Sequence, residues 1–224
     1  MRVKFMEKEE YIRRVEEDDG WAPGWDAIED RFIAVYSDQE PSHYGTTITN
    51  RAMFGGDQYL DGYSIYRSDK GYVHIVTFGM SELYGNEEAF EGEYSKWGYE
   101  MTMKLRVETD EECMWALDML SNLARYTYTS NRFVEPFQYI SGGGNPIRIG
   151  ADTKLTGLIV VEDTEIKGAD TVHGRLDFLQ MVGITQSELD ALIADPDQAV
   201  PLVERMKADN PMLITDLGRT HDYL

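Results

Sequence analysis

Ser81 lies in Gly79-Met80-Ser81-Glu82-Leu83, directly after the alternating run Tyr72 to Phe78. A serine at a strand end is where many hydrolases place a nucleophile. That elbow needs G-x-S-x-G, because only small residues fit beside its strained turn. Leu83 stands where the second glycine belongs, and Asn86 to Gly92 is a poor match to the helix that should follow. Ser81 is therefore expected to cap a turn. His43, His74 and His173 are numerous enough for a three-histidine zinc site. They show neither an i, i+4 pair nor H-E-x-x-H spacing, and His74 falls inside a strand pattern. Ser141-Gly142-Gly143-Gly144-Asn145-Pro146 is glycine-rich but lacks the Gly-Lys-Ser/Thr ending of a phosphate loop. It reads as a surface loop. Cys113 is the only cysteine, which excludes an internal disulfide and a cysteine-built zinc site. These residues define no reaction centre, no metal site and no cofactor, so a non-enzymatic protein is expected.

The elements around these residues are legible from their periodicity. Residues 1–20 read as a charged, solvated helical extension, and 21–224 as one domain. Pro23-Gly24 opens a helix with Trp25, Ile28, Phe32 and Val35 on one face. Gly62–Arg67 and Tyr72–Phe78 alternate about the turn Ser68-Asp69-Lys70-Gly71, a hairpin. Tyr99, Met101, Met103, Leu105 and Val107 alternate with Glu100, Thr102, Lys104, Arg106 and Glu108, which predicts a strand with one buried and one wet face. Thr109-Asp110-Glu111-Glu112 predicts a capping box ahead of a helix that buries Cys113, Leu117, Leu120 and Ala124. Leu155–Val161 and Leu176–Val182 read as buried strands. Thr185-Gln186-Ser187-Glu188 is a second capping box, whose helix ends near Asp195-Pro196. A last helix runs to about Lys207, with Pro201 starting or kinking it. The fold class is α+β, a central mixed, largely antiparallel sheet flanked by helices.

The chain carries 41 acidic against 21 basic residues, a net charge of −20. Such a surface repels nucleic acid and anionic membranes and favours a basic partner. No apolar run is long enough to span a bilayer. The charged start MRVKFMEKEEYIRR lacks the apolar core of a secretory signal, so a cytoplasmic protein is expected. Tyr59, Tyr63, Tyr66, Tyr72, Tyr84, Tyr94, Trp97 and Tyr99 crowd one region, a composition shared by binding surfaces and by strands.

Read as a whole, FGGDQYLDGYSIYRSDKGYVHIVTFGMSELYGN resembles the suppressor of fused family. Its landmarks are Gly55-Gly56, Leu60-Asp61, Tyr66-Arg67, His74 and Phe78-Gly79-Met80-Ser81-Glu82-Leu83-Tyr84. GYEMTMKLRVE, NLARYTYTSNRFVEP, VEDTEIKGADTVHGRLDFLQMVGIT and LITDLGR continue the likeness in order, from about Pro23 to Arg219. The His-Trp-His-Tyr of animal members is Tyr72-Val73-His74-Ile75 here, and Leu-Tyr-Gly-Asp is Leu83-Tyr84-Gly85-Asn86. Animal members also carry a second, C-terminal domain. The resemblance implies protein binding, by strand addition at an exposed edge. It places Tyr66, His74, Glu82, Tyr84 and Asn86 on the partner surface. Stand-alone bacterial members are thought to be immunity proteins, and a charge of −20 suits inhibition of a basic toxin. The alternative is a regulatory scaffold that sequesters an endogenous protein such as a transcription factor.

Overall fold

Tyr94–Leu105 forms β4, the middle strand of the sheet. The structure, a computed structural model, describes residues 6–46 and 59–224. The Gly55-Gly56 landmark lies outside the described residues. Five helices are described: α1 (Lys8–Glu17), α2 (Pro23–Tyr36), α3 (Met114–Ser130), α4 (Gln186–Ala194) and α5 (Ala199–Asp209). The other strands are β1 (Ser42–Gly45), β2 (Gly62–Ser68), β3 (Tyr72–Phe78), β5 (Tyr139–Ser141), β6 (Leu155–Glu162), β7 (Ala169–Thr171) and β8 (Gly174–Thr185). They form one open sheet in the order β1-β2-β3-β4-β8-β6-β5, with β7 paired to β8. The β4–β8 ladder is parallel and the other named ladders are antiparallel. The fold is α+β, as the periodicity predicts. No described helix is long and apolar enough to cross a membrane.

The sheet buries both faces. Tyr99, Met101, Met103 and Leu105 point to the α3 side, where they meet Leu117, Leu120 and Ala124. Cys113 is buried with them, and burial pushes its thiol up to about 11. The opposite face carries two separate apolar clusters. In one, Ile28 and Phe32 of α2 pack on Tyr66, Val76, Phe78 and Phe178. In the other, Leu189 and Leu192 of α4 and Leu202, Val203 and Met206 of α5 pack on Ile159, Val161, Val182 and Ile184.

The expected wet face of β4 is a correction. Glu100, Thr102 and Lys104 are all 0% exposed. Their alternation with apolar residues marks a buried polar layer instead, because helices cover that face too. A second correction concerns α2, where Val35 points outward and Tyr36 turns inward with Phe32. A step of four from Phe32 keeps the helical face better than a step of three. A third concerns α1, whose Tyr11 is fully buried.

The two capping boxes behave differently. At Thr109 only half forms: Glu112 accepts from the Thr109 amide at 3.0 Å, but the Thr109 hydroxyl donates to Glu112. A 3₁₀ turn, Glu111–Cys113, precedes α3. At Thr185 both halves form, with the Glu188 amide on the hydroxyl at 3.3 Å and Glu188 reaching back at 2.8 Å. Thr185→Ala is expected to lower stability by about 1 kcal/mol, read from the denaturant midpoint. A variant as stable as the parent would show that the cap is dispensable. Pro201 sits in the first turn of α5, where its missing N–H has no helical acceptor to serve.

Candidate functional site

Ser81 answers to Glu100. The β3–β4 ladder stops at Val76↔Thr102. Beyond it the Glu100 carboxylate takes over as partner to the chain leaving β3. It accepts from the Thr77 hydroxyl at 2.7 Å, the Gly79 and Ser81 amides at 3.0 and 2.9 Å, and the Ser81 hydroxyl at 2.6 Å. Ser81 is 1% exposed and builds the turn, as its sequence context predicts. Burial pushes the Glu100 carboxyl above its ordinary range, and these donors act against that rise.

His74 belongs to a second buried polar group. Register sets His74 opposite Lys104 and Thr102 opposite Gln180, across β3, β4 and β8. Asp163, just after β6, closes the group. Its Oδ2 accepts from His74 Nε2 at 2.8 Å and Thr102 Oγ1 at 2.6 Å. Its Oδ1 accepts from Lys104 Nζ at 3.2 Å and from the amides of Glu165 and Ile166 at 2.8 and 2.9 Å. Glu165 lies 3.2 Å from Lys104 and 2.7 Å from Lys70, and accepts from Tyr72. Two carboxylates thus face two ammonium groups. Burial would raise the Asp163 carboxyl, but His74, Lys104 and the Ile166 amide more than offset this and hold it well below the usual range. Burial also holds His74 below its ordinary value, so it is neutral at pH 7. Its Nε2–H donates to Asp163, and its Nδ1 accepts from Tyr36 at 2.9 Å. Gln180 extends the group to the carbonyls of Met212 and Leu213, both at 3.0 Å. The group therefore ties α2, the sheet and the segment after α5 together, at the polar seam between the two apolar clusters. His74, Asp163 and Lys104 expose no side-chain surface, so the arrangement holds structure and presents no reacting group to solvent.

The other expected site residues fall in different places. Tyr66 is 2% exposed and stacks on Phe32 and Tyr36, with ring centroids 4.7 and 5.1 Å apart. Burial lifts its hydroxyl to about 12. Tyr84 is exposed and donates to Asp61 at 3.1 Å. Asn86 caps a 3₁₀ turn by accepting from the Glu88 amide, and its amide side chain donates to Glu82 at 3.1 Å. Both Glu82 and Asn86 are half-buried. The structure thus places Glu82, Tyr84 and Asn86 together at the surface and Tyr66 and His74 together in the interior. His43 and His173 engage other partners, the Ser64 hydroxyl and Tyr11 respectively. Among the described residues no group of three or more histidine, cysteine or acidic residues could hold a metal ion.

A cleft of about 520 Å³ was not read from the sequence. Tyr94, Trp97, Gly98, Phe133, Val134, Pro136 and Leu179 line it, with Glu135, Glu162 and Asp177 at its polar margin. A register shift between Tyr94 and Tyr99 shapes it, where Lys96 and Gly98 take φ of +55° and +83°. Such bulges re-aim side chains and occur beside functional sites. Lys96 reaches from the cleft to the Gly79 carbonyl at 2.7 Å and the Tyr128 hydroxyl at 2.8 Å, joining it to the turn that leads to Tyr84. Tyr94, Tyr126, Phe133 and Phe137 are all more than two-fifths exposed. The Trp97 indole N–H is buried with no hydrogen-bond partner among the described residues. The cleft's sequence signals were the crowd of aromatics, which holds Tyr94 and Trp97, and the stretch NLARYTYTSNRFVEP, which holds Phe133 to Pro136.

The comparisons with known proteins agree with this architecture. The family described as Suppressor of fused protein (SUFU) matches residues 56–220. The human Suppressor of fused homolog is 28% identical over 216 residues, covering 88% of this chain and 43% of its own length. The chain thus spans less than half of that relative. A chain from the crystal structure of a Sufu–Fu complex superposes with a TM-score of 0.74 at 24% identity, covering 90% of this chain and 92% of its own. A putative SUFU homolog from Neisseria gonorrhoeae superposes with a TM-score of 0.59 at 12% identity, covering 89% and 96%. This chain belongs to the suppressor of fused family, a family of regulatory, protein-interacting domains.

Proposed function

We propose that this domain is a non-enzymatic binder of a basic protein, gripping it along the Tyr94–Phe133 cleft, the β5 edge and the loop Glu82–Asn86. The single observation that carries this reading is the set of exposed aromatics around the cleft. Tyrosine, tryptophan and phenylalanine in a partly desolvated pocket are the usual anchors of a protein interface. β5 ends the sheet. Its outer side offers main-chain groups to an extended segment. Glu135 and Glu162 lie exposed beside this surface, and the net charge of −20 speeds the approach of a basic partner. Within this surface Tyr84, Glu82 and Asn86 make contact, while Tyr66 and His74 hold the sheet behind it. The bacterial cytoplasm, with a toxin as the basic partner, is the setting in which steering of this strength is most useful, since an inhibitor must act before its target does. The second reading is a scaffold that sequesters an endogenous regulator. It is favoured by the Sufu–Fu complex, one chain of which shares this fold.

The test is capture from native lysate at low and high salt, with Tyr94→Ala/Phe133→Ala as the comparison. Loss of two anchors is expected to weaken binding by tenfold or more, since anchors of this kind commonly contribute over about 1 kcal/mol each. A basic secreted protein lost at high salt supports the toxin reading, and a salt-resistant regulator supports the scaffold. Equal capture by the parent and the double variant would move the interface elsewhere.

A further inference from the structure

Helix α1 buries one side chain among its described residues. Tyr11 is its buried side chain, and the hydroxyl makes the latch. The ring packs against Phe90 and Trp21, at centroid distances of 4.5 and 5.1 Å, and lies edge-on to His173 at 5.9 Å. The Tyr11 oxygen is 2.7 Å from His173 Nε2 and accepts from the Asn86 amide at 2.7 Å. His173 Nδ1 lies 3.0 Å from the Glu82 carbonyl. A carbonyl needs a donor, so Nδ1 carries the proton and Nε2 receives the Tyr11 hydroxyl. The same loop is pinned again by main-chain bonds, from Gly85 to the Trp21 carbonyl at 2.9 Å and from Gly24 to the Leu83 carbonyl at 3.0 Å. Val15 of α1 packs on bare Gly85, where an added Cβ would stand 2.7 Å from its Cγ2. Loop and helix therefore hold each other in place.

We propose that α1 is a detachable strap, latched by the Tyr11 hydroxyl on neutral His173, and that protonation of His173 releases it and loosens the Glu82–Asn86 loop. Released, the helix has little to keep it folded. It is ten residues long and its N-cap position, Glu7, makes no side-chain cap. Isolated helices of that length are marginal in water. The proton matters because His173 is fully buried. A charge on Nε2 fills the site that receives the Tyr11 proton, and Tyr11 must turn to the Asn86 carbonyl at 3.2 Å. Burial holds His173 below its ordinary value, while the Glu82 carbonyl and the Glu82 carboxylate act against this. Facing Tyr11 from the loop are Glu82 and Glu87, and burial is the main cause that raises its hydroxyl. Thr171, on the hairpin of His173 itself, accepts from the His173 amide and does not titrate. A histidine with a lowered latched value stabilises the latch fully above its free value near 6.5 and loses that contribution as pH falls below it. That the loosened loop alters partner binding rests on the reading above; the latch itself does not.

The test is hydrogen exchange on the full chain between pH 7.5 and 5.0, without any partner, comparing the parent with His173→Gln and Tyr11→Phe. After correction for intrinsic exchange, opening of α1 amides in the parent is expected to rise by up to about tenfold per pH unit below 6.5. Amides of β4 should stay protected. His173→Gln should flatten the α1 response. Tyr11→Phe should open α1 at every pH, and serves alone if the glutamine variant does not fold. An α1 response in the parent no steeper than in His173→Gln would overturn the proposal. So would α1 and β4 opening together, which would assign the pH effect to global unfolding through His43 and His74. Pull-down at both pH values then tests the coupling, and failure there with a working latch would count against the loop as partner surface.

Discussion

Replacing Asp163 with asparagine is expected to cost about 3–5 kcal/mol of stability, the range for leaving a buried charge without its partner. All five donors around Asp163 aim at an acceptor. Asparagine turns one oxygen into an N–H₂ that meets two of them head-on. Among the described residues Lys104, fully buried, then keeps only Glu165 as a carboxylate partner within 4 Å. The measurement is equilibrium denaturation of both proteins at pH 7. A loss under about 1 kcal/mol would mean that the neighbouring hydrogen bonds, and not the charge, carry the seam.

The same site predicts how the charge is used. Asp163→Leu/Lys104→Met removes both ions but leaves the donors of His74, Thr102, Glu165 and Ile166 without their acceptor. Each unmet buried donor costs about 1–3 kcal/mol, so the double variant should be no more stable than Asp163→Asn. Asp163 titrates below its unfolded value of about 3.9. Its contribution is complete above that value and is lost progressively as pH falls from it toward the lower folded value, since the folded state resists the proton that the unfolded chain accepts. Acid lability of the parent below about pH 4 should therefore be reduced in the double variant.

These residues show where the sequence could be read and where it could not. Both hairpin strands, the strands Leu155–Glu162 and Gly174–Thr185, and the Thr185 capping box follow from period and cap chemistry, which are local. The covered face of β4 does not. Period two tells that Glu100, Thr102 and Lys104 share a side, but not that a second layer lies above it. That layer comes from α2 and the segment after α5, over a hundred residues apart in the chain. The signal was nonetheless present in the family likeness: Glu100 stands in GYEMTMKLRVE and Asp163 in VEDTEIK. Residues that recur for the interior and residues that recur for a partner look alike in one sequence. The family likeness puts Tyr66 and His74 on the surface for that reason, and only packing separates them from Tyr84.

Glu100 offers the sharper contrast, because its pH dependence should run opposite to that of Asp163. Among the described residues no cation is a hydrogen-bond partner of Glu100. Glu100→Gln puts an amide donor where the side chain accepts from Thr77, Gly79 and Ser81, and is expected to cost about 1–3 kcal/mol, the range for leaving buried donors unsatisfied. Ser81→Ala removes one of those donors and should cost less, about 1 kcal/mol. Burial raises the Glu100 carboxyl in the fold. A carboxyl with a raised folded value loses stability as pH climbs from its unfolded value, near 4.3, through the folded one. The Glu100→Gln penalty should therefore be greatest near pH 4 and shrink toward neutrality, read from denaturant midpoints at pH steps between 4 and 8. A penalty that grows with pH would mean that five donors outweigh burial. Glu100 would then be a preformed anion built into the turn of Ser81, and the ionised form, not the acid, would be the state that shapes the loop from Glu82 to Asn86.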